Sequence, residues 1–221
     1  MLDAVTTGTL APSTTAPPAR LRTSQRRCAR LTGCSLLAVT VASLLAAALL
    51  ARAEEAPMRV AVAAAFAVVA VLDVAVGAGL YRLLHRRAHS SAYAALVSRA
   101  GYAVLLGASA GRLAWPGGGG VERFRADWSL ALLVLGVHLL VTALALTTSR
   151  TVPAAIVAAT ALAGVAAVLA ESLGRWTGLE GRPALVPLAL GQLVLMAWLL
   201  RVAHRAPVAS PAWSPVAGAP R

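Results

Sequence analysis

Long apolar runs alternate along the chain with short polar connectors that carry arginine. A helix needs about 20 apolar residues to cross about 30 Å of hydrocarbon, and the pattern predicts six such spans, over residues 31–51, 60–80, 92–111, 128–148, 152–170 and 183–201. Residues 31–203 therefore read as a transmembrane domain. The Thr/Pro/Ala-rich and then Arg-rich segment 1–30 and the segment 204–221 read as disordered tails, because neither is periodic enough to bury a core. The expected fold class is all-α: a polytopic membrane helix bundle of six transmembrane helices with both termini cytoplasmic. Ser149-Arg150-Thr151 is short enough to make its flanking spans antiparallel neighbours, and Pro153 suits a first helical turn, where its missing N–H is no loss. The third span is the weakest, interrupted by Arg99 and closed by Arg112.

Composition agrees with this pattern. Of 221 residues, 59% are hydrophobic and 13% charged, with a mean hydropathy of +0.76, too apolar for a soluble domain of this size. All twenty basic residues are Arg. Together with the Ala, Val and Leu content this suggests a GC-rich bacterial genome, and hence a multi-pass protein of the cytoplasmic (inner) membrane. The net charge of +12 does not point to nucleic acid, since the arginines are scattered between apolar runs instead of being gathered on one soluble face.

Topology explains the charge better. With the N-terminus inside, the inner segments hold Arg20, Arg22, Arg26, Arg27, Arg30, Arg82, Arg86, Arg87, Arg150, Arg201, Arg205 and Arg221. The outer segments hold Arg52, Arg59, Arg112, Arg123, Arg125, Arg175 and Arg182, with Glu54, Glu55, Glu122, Asp127 and Glu180. This bias, strongest at the first helix, is the positive-inside signature. Trp115, Trp128 and Trp176 fall at outer ends, as an aromatic belt would place them. The expected partners are the lipid bilayer and the anionic headgroups at the inner Arg clusters, notably Arg82, Arg86 and Arg87; no protein partner is implied. The Pro116 to Gly120 loop is a flexible connector.

Two processing signals are mimicked near the N-terminus. The Arg cluster, the apolar run from Leu36 and Ala51-Arg52-Ala53 imitate a signal peptide, but the span is longer than a usual signal core. Leu31-Thr32-Gly33-Cys34 resembles a lipoprotein box whose apolar stretch lies on the wrong side of the cysteine. Cys28 and Cys34 form neither a disulfide framework nor a metal-ligand set.

Charges inside spans are costly, about 2.5 to 3.5 kcal/mol each at a helix centre, so they mark candidate sites. Asp73 and Arg99 lie at matching depths, roughly 10 Å from the inner ends of adjacent antiparallel spans. They can pair, which would neutralise both charges and make the third span insertable, with bidentate hydrogen bonds available from the guanidinium. His138 and Gln192 sit near mid-span in the fourth and sixth helices, where each can clasp a neighbouring helix. The candidate intramembrane polar cluster is thus Asp73, Arg99 and His138, with Gln192 a further interhelical clasp. Glu171 reads as an interfacial residue one turn from Arg175.

Apparent catalytic motifs do not fit their context. Gly107-Ala108-Ser109-Ala110-Gly111 spells the G-x-S-x-G elbow of soluble hydrolases but lies in a membrane helix with no preceding strand. An intramembrane serine hydrolase would need His138 within reach of Ser109, and their depths differ by about 10 Å. The same residues offer a small face for close helix packing. His85 and His89 have metal spacing, yet no acid or cysteine completes a site and Arg86 and Arg87 oppose a cation. No catalytic residue, metal ligand or cofactor is assigned.

These residues carry a resemblance to the bacterial family called domain of unknown function 4386, membrane proteins with about six predicted helices. Ala29-Arg30-Leu31-Thr32-Gly33 is similar to that family's opening of helix one. Asp73 with Gly79-Leu80-Tyr81-Arg82-Leu83-Leu84 resembles its Asp followed by an aliphatic-Tyr-x-Leu-Leu helix end. Ser98-Arg99 looks like its Phe-Arg, Leu135-Gly136-Val137-His138-Leu139-Leu140 like its Phe-Gly-Leu-His-Leu-Leu, and Ser149-Arg150-Thr151-Val152-Pro153 like its Arg-Ser-Gly-x-x-Pro turn. Departures are Thr151 for a usual Gly, no Arg after Pro153, and Glu171 near a common Asp. The resemblance spans most of residues 29–176 and selects Asp73, Arg99 and His138, but implies no activity. The leading functional expectation is a non-enzymatic membrane protein, a small transporter or an accessory subunit. The alternatives are a membrane-embedded hydrolase using Ser109 or His138, and a structural or regulatory membrane partner.

Overall fold

A computed structural model of the chain describes residues 23–50, 52–53, 55–115, 117, 120–150, 152–177 and 182–204. These form six α-helices: α1 (Thr23–Leu50), α2 (Ala56–Leu84), α3 (His89–Ala114), α4 (Gly120–Ser149), α5 (Ala154–Thr177) and α6 (Arg182–His204). All six are long and apolar enough to cross a bilayer. Helices close every backbone hydrogen bond within the segment, as hydrocarbon requires. Large aliphatic side chains such as Leu31, Leu45, Val71, Val104, Leu162 and Val186 point outward. Such a surface is unfavourable in water and natural in lipid. The chain is a multi-pass membrane protein.

Each helix packs against the next in sequence, and α6 returns to α1, closing a ring. Helix α4 is the most enclosed and also approaches α2 and α6 across the interior. With six antiparallel spans, both ends of the described chain lie on one face, here the terminal face, together with the α2–α3 and α4–α5 turns. The opposite face carries the α1–α2, α3–α4 and α5–α6 connections and is the far face.

The helices outrun the spans expected from hydropathy. Arg26, Arg27 and Arg30, expected in a disordered tail, stand on the first turns of α1. A helix can continue past the hydrocarbon because arginine stems cover apolar surface while their heads stay wet. Residues 1–22 and 205–221, the remainder of the two expected tails, lie outside the described residues. Helix α3 is continuous for 26 residues despite Arg99.

Close helix crossings depend on particular glycines. A Cβ on Gly164 would stand 2.9 Å from the Gly136 carbonyl oxygen, so α4 and α5 cross backbone to backbone. Gly191 meets Ala163 and Gly79 meets Thr32 just as tightly. The Gly107/Gly111 face does not pack in this way: Gly111 has nothing within 4 Å, and Gly107 has only Ala70 at 3.9 Å. Small residues permit close approach only where a neighbouring backbone arrives, and here it arrives at Gly136.

Trp115 and Trp176 are 74% and 89% exposed near the far face, whereas Trp128 is only 7% exposed. Its ring stands 5.3 Å from Phe66, which in turn lies 4.9 Å from Phe124. Trp128 therefore belongs to an interior aromatic cluster and not to the expected belt, because α4 begins eight residues before it and carries it into the bundle. The exposed ion pairs among the described residues lie near the far face. Arg112 donates to Asp127 at 2.7 and 3.1 Å, and Arg125 to Glu122 at 2.5 Å, all near the far face. Near the terminal face, no ion pair among the described residues engages Arg26, Arg27, Arg30, Arg82, Arg86, Arg87, Arg150 or Arg201.

Candidate functional site

Three helices deliver one polar residue each to the same level. Asp73 lies eleven residues before the end of α2, Arg99 ten after the start of α3, and His138 eleven before the end of α4. At 1.5 Å per residue all three are about 15 to 16 Å from the terminal face, near the middle of a 30 Å core. That is deeper than the 10 Å expected, because α2 and α3 extend past their predicted ends. All three are 0% exposed.

Arg99 is the hub. Its Nη2 donates to Asp73 Oδ1 in a buried ion pair. Its Nη1 lies 3.2 Å from His138 Nε2, so one guanidinium ties α3 to both α2 and α4. His138 Nδ1 is 2.8 Å from the Ala95 carbonyl oxygen. A carbonyl only accepts and a guanidinium only donates. The ring must therefore carry its proton on Nδ1 and accept on Nε2, which is the neutral imidazole. Thr142 Oγ1, one turn along α4, is 3.3 Å from the same Nε2, and Ser98 Oγ is 3.4 Å from Nδ1 while donating to Ala95 at 3.0 Å. Both ring nitrogens are engaged, which leaves the imidazole no free lone pair for general-base chemistry.

The guanidinium splits its fork between two partners, in place of the bidentate pair the sequence allowed. Asp73 Oδ2 and Arg99 Nε meet no hydrogen-bond partner among the described residues. Gly77, one turn from Asp73 on the same face of α2, makes room for the arginine stem: a Cβ there would stand 3.5 Å from Arg99 Cβ and 3.2 Å from Leu96. Gly77 and Thr142 escaped the sequence reading. Their signal was available, since each follows an intramembrane polar residue by four positions and so shares its face.

The other candidates lie elsewhere. Gln192 is buried beside a cavity of about 60 Å³ bounded by α1, α4 and α6, with Phe66 and Tyr102 completing the wall. No described residue hydrogen-bonds its side chain, so it clasps no neighbouring helix there. Ser109 donates to Leu105 O at 2.7 Å, a bond within its own helix, and is not among the partners of His138. Glu171, expected at the interface, is buried and accepts from Ser129 of α4. Helix α5 runs on to Thr177, so this carboxylate is inside the bundle; the Arg175 side chain lies outside the described residues.

No group of three or more His, Cys, Asp or Glu among the described residues could hold a metal ion. His85 Nδ1 faces the Tyr81 and Arg82 carbonyl oxygens at 3.2 and 3.1 Å, and its ring stacks on Tyr81 at 5.3 Å, with His89 on another side of that tyrosine at 6.1 Å. Cys28 donates weakly to Gly79 O at 3.6 Å, and Cys34 is exposed. No family model, no curated protein and no solved structure matches the chain.

Proposed function

We propose that this is a non-catalytic protein of the bacterial cytoplasmic membrane, an accessory or structural subunit in which Asp73, Arg99 and His138 act as an interhelical clasp. The observation that supports this reading is that both terminal nitrogens of Arg99 are spent on Asp73 and His138, at a depth where all three residues are buried. A transport path needs a charge that water or an ion can reach, and a hydrolase needs Ser109 beside a free base. Neither requirement is met by the hydrogen bonds these residues make.

The terminal face is read as cytoplasmic, with its arginines meeting anionic headgroups, because it carries eight arginines without an ion pair among the described residues, whereas Arg112, Arg123 and Arg125 of the far face are paired with acids. Membership of the domain of unknown function 4386 family is part of the same proposal. It is supported by the quoted motifs, whose Asp73, Ser98, Arg99 and His138 meet in one network.

Two experiments test it. Sealed vesicles containing the protein should hold a pH gradient as well as protein-free vesicles, and Asp73→Ala with Arg99→Leu should not change this. A wild-type leak abolished in that double variant would overturn the clasp. In a background with Cys28 and Cys34 replaced by Ser, Arg86→Cys should be protected from a membrane-impermeant thiol reagent in intact cells and Trp115→Cys should react. The reverse pattern would overturn the orientation.

A further inference from the structure

None of Asp73, Arg99 and His138 lines the cavity beside Gln192, while Tyr102 on its wall stands within electrostatic reach of Asp73 and Arg99. Its α1 wall runs from Val39 to Ala47 and its α6 wall from Leu185 to Gln192. It therefore descends from near the far face to about mid-depth, roughly 15 Å at the helical rise. In the terminal half α1 and α6 meet closely, with a Cβ on Gly33 only 2.9 Å from Leu200. In the far half both helices line the cavity, and Leu44 on its wall is 56% exposed. The mouth thus faces lipid. Pro187 sits inside α6 along this lip, where its missing N–H removes one helical hydrogen bond and lets the lip bend.

Three features of the wall select an occupant. No Arg, Lys, His, Asp or Glu lines it, so an ionised head would be buried without a counter-charge. Ser43, Tyr102 and Gln192 bring a hydroxyl, a phenol and an amide to an otherwise apolar wall. Thr40 spends its hydroxyl on the Leu36 carbonyl at 2.9 Å, whereas those three side chains make no hydrogen bond among the described residues. A few convergent polar groups in an apolar pocket are the ordinary form of a small-molecule site. Size then decides the shape. A cavity of about 150 Å³ admits a benzene ring, and this one, at about 60 Å³, does not. It fits a hydroxyl and the first carbons of a chain.

We propose that the cleft between α1 and α6 binds the hydroxyl end of an uncharged single-chain lipid, a long-chain alcohol, with Ser43, Tyr102 and Gln192 holding the hydroxyl and the chain leaving between the helices into the bilayer. A hydroxyl both donates and accepts, which these three groups can answer together. The site does not depend on the clasp reading.

The test uses the full chain in lipid nanodiscs and two photoreactive probes of equal length. One is a long-chain alcohol with a diazirine near its hydroxyl, and the other is the matching carboxylate. The alcohol should label peptides covering residues 39–47 and 185–192, about fivefold or more above the carboxylate, and excess unlabelled alcohol should suppress it. Ala189→Leu, whose three added carbons fill the cavity, should abolish this labelling, and the milder Gln192→Leu should lower it about fivefold in protein that still elutes as the wild type. Labelling spread evenly over the lipid-facing helices would overturn the site. So would equal labelling by the carboxylate, or labelling indifferent to Gln192→Leu.

Discussion

Removing one partner of the buried pair should cost more than removing both. Asp73→Ala leaves the Arg99 guanidinium at 0% exposure with only His138 and no anion, about 15 Å from the terminal face. Stranding a buried charge costs about 3 to 5 kcal/mol. Adding Arg99→Leu removes that charge and puts an apolar side chain beside Gly77 and Leu96. The double variant then loses the pair and the hydrogen bond to His138, an interhelical term of about 0.6 to 1.7 kcal/mol, together with some packing. The expected loss is about 3 to 5 kcal/mol for Asp73→Ala alone and about 1 to 2 kcal/mol for the pair of changes, a coupling of about 2 kcal/mol or more. The assay is reversible unfolding in mixed micelles titrated with dodecyl sulfate, with the inserted fraction measured in parallel. A double variant as unstable as Asp73→Ala, or less stable, would refute the reasoning.

Further outcomes follow from single contacts. His138→Ala should cost about 1 to 2 kcal/mol in the wild type, and less in the double variant, where Arg99 no longer reaches for its ring; the same titration measures both. Gly164→Val should lose about 3 kcal/mol by forcing α5 off the Gly136 carbonyl, while Gly111→Ala, with open space around it, should stay within about 0.5 kcal/mol. Arg150 has φ 51° at the end of α4, a left-handed conformation that costs a side-chain-bearing residue about 1 to 2 kcal/mol, so Arg150→Gly should raise the unfolding midpoint. The exposed Arg112–Asp127 pair should contribute less than about 1 kcal/mol, and Asp127→Asn should become neutral at high salt.

Helix number and order were legible because each apolar run is long enough to be a span and the polar breaks between them are short. Helix ends were not, since hydropathy marks the hydrocarbon section and α1 continues beyond it with Arg26 and Arg27 still helical. Asp73 and Arg99 could be related in sequence because they stand at equal distances from one turn. The way Arg99 divides its nitrogens between Asp73 and His138 could not, since it depends on how far α4 advances toward α3. Glu171 and Trp128 show the same difficulty: each stood at the edge of an apolar run, and each is taken inside by a helix that extends beyond that run. Glycine spacing alone could not separate Gly107 and Gly111 from Gly136 and Gly164, because only the arrival of a partner backbone distinguishes them.

The most direct test of the clasp is a distance in a bilayer. Solid-state NMR on protein labelled at the Asp carboxyl and Arg guanidinium carbons should find Asp73 and Arg99 in hydrogen-bonded contact, with no magnetisation transfer from water to that guanidinium. Separation of the two groups, or rapid transfer from water, would contradict the account and place a wet path through the middle of the bundle.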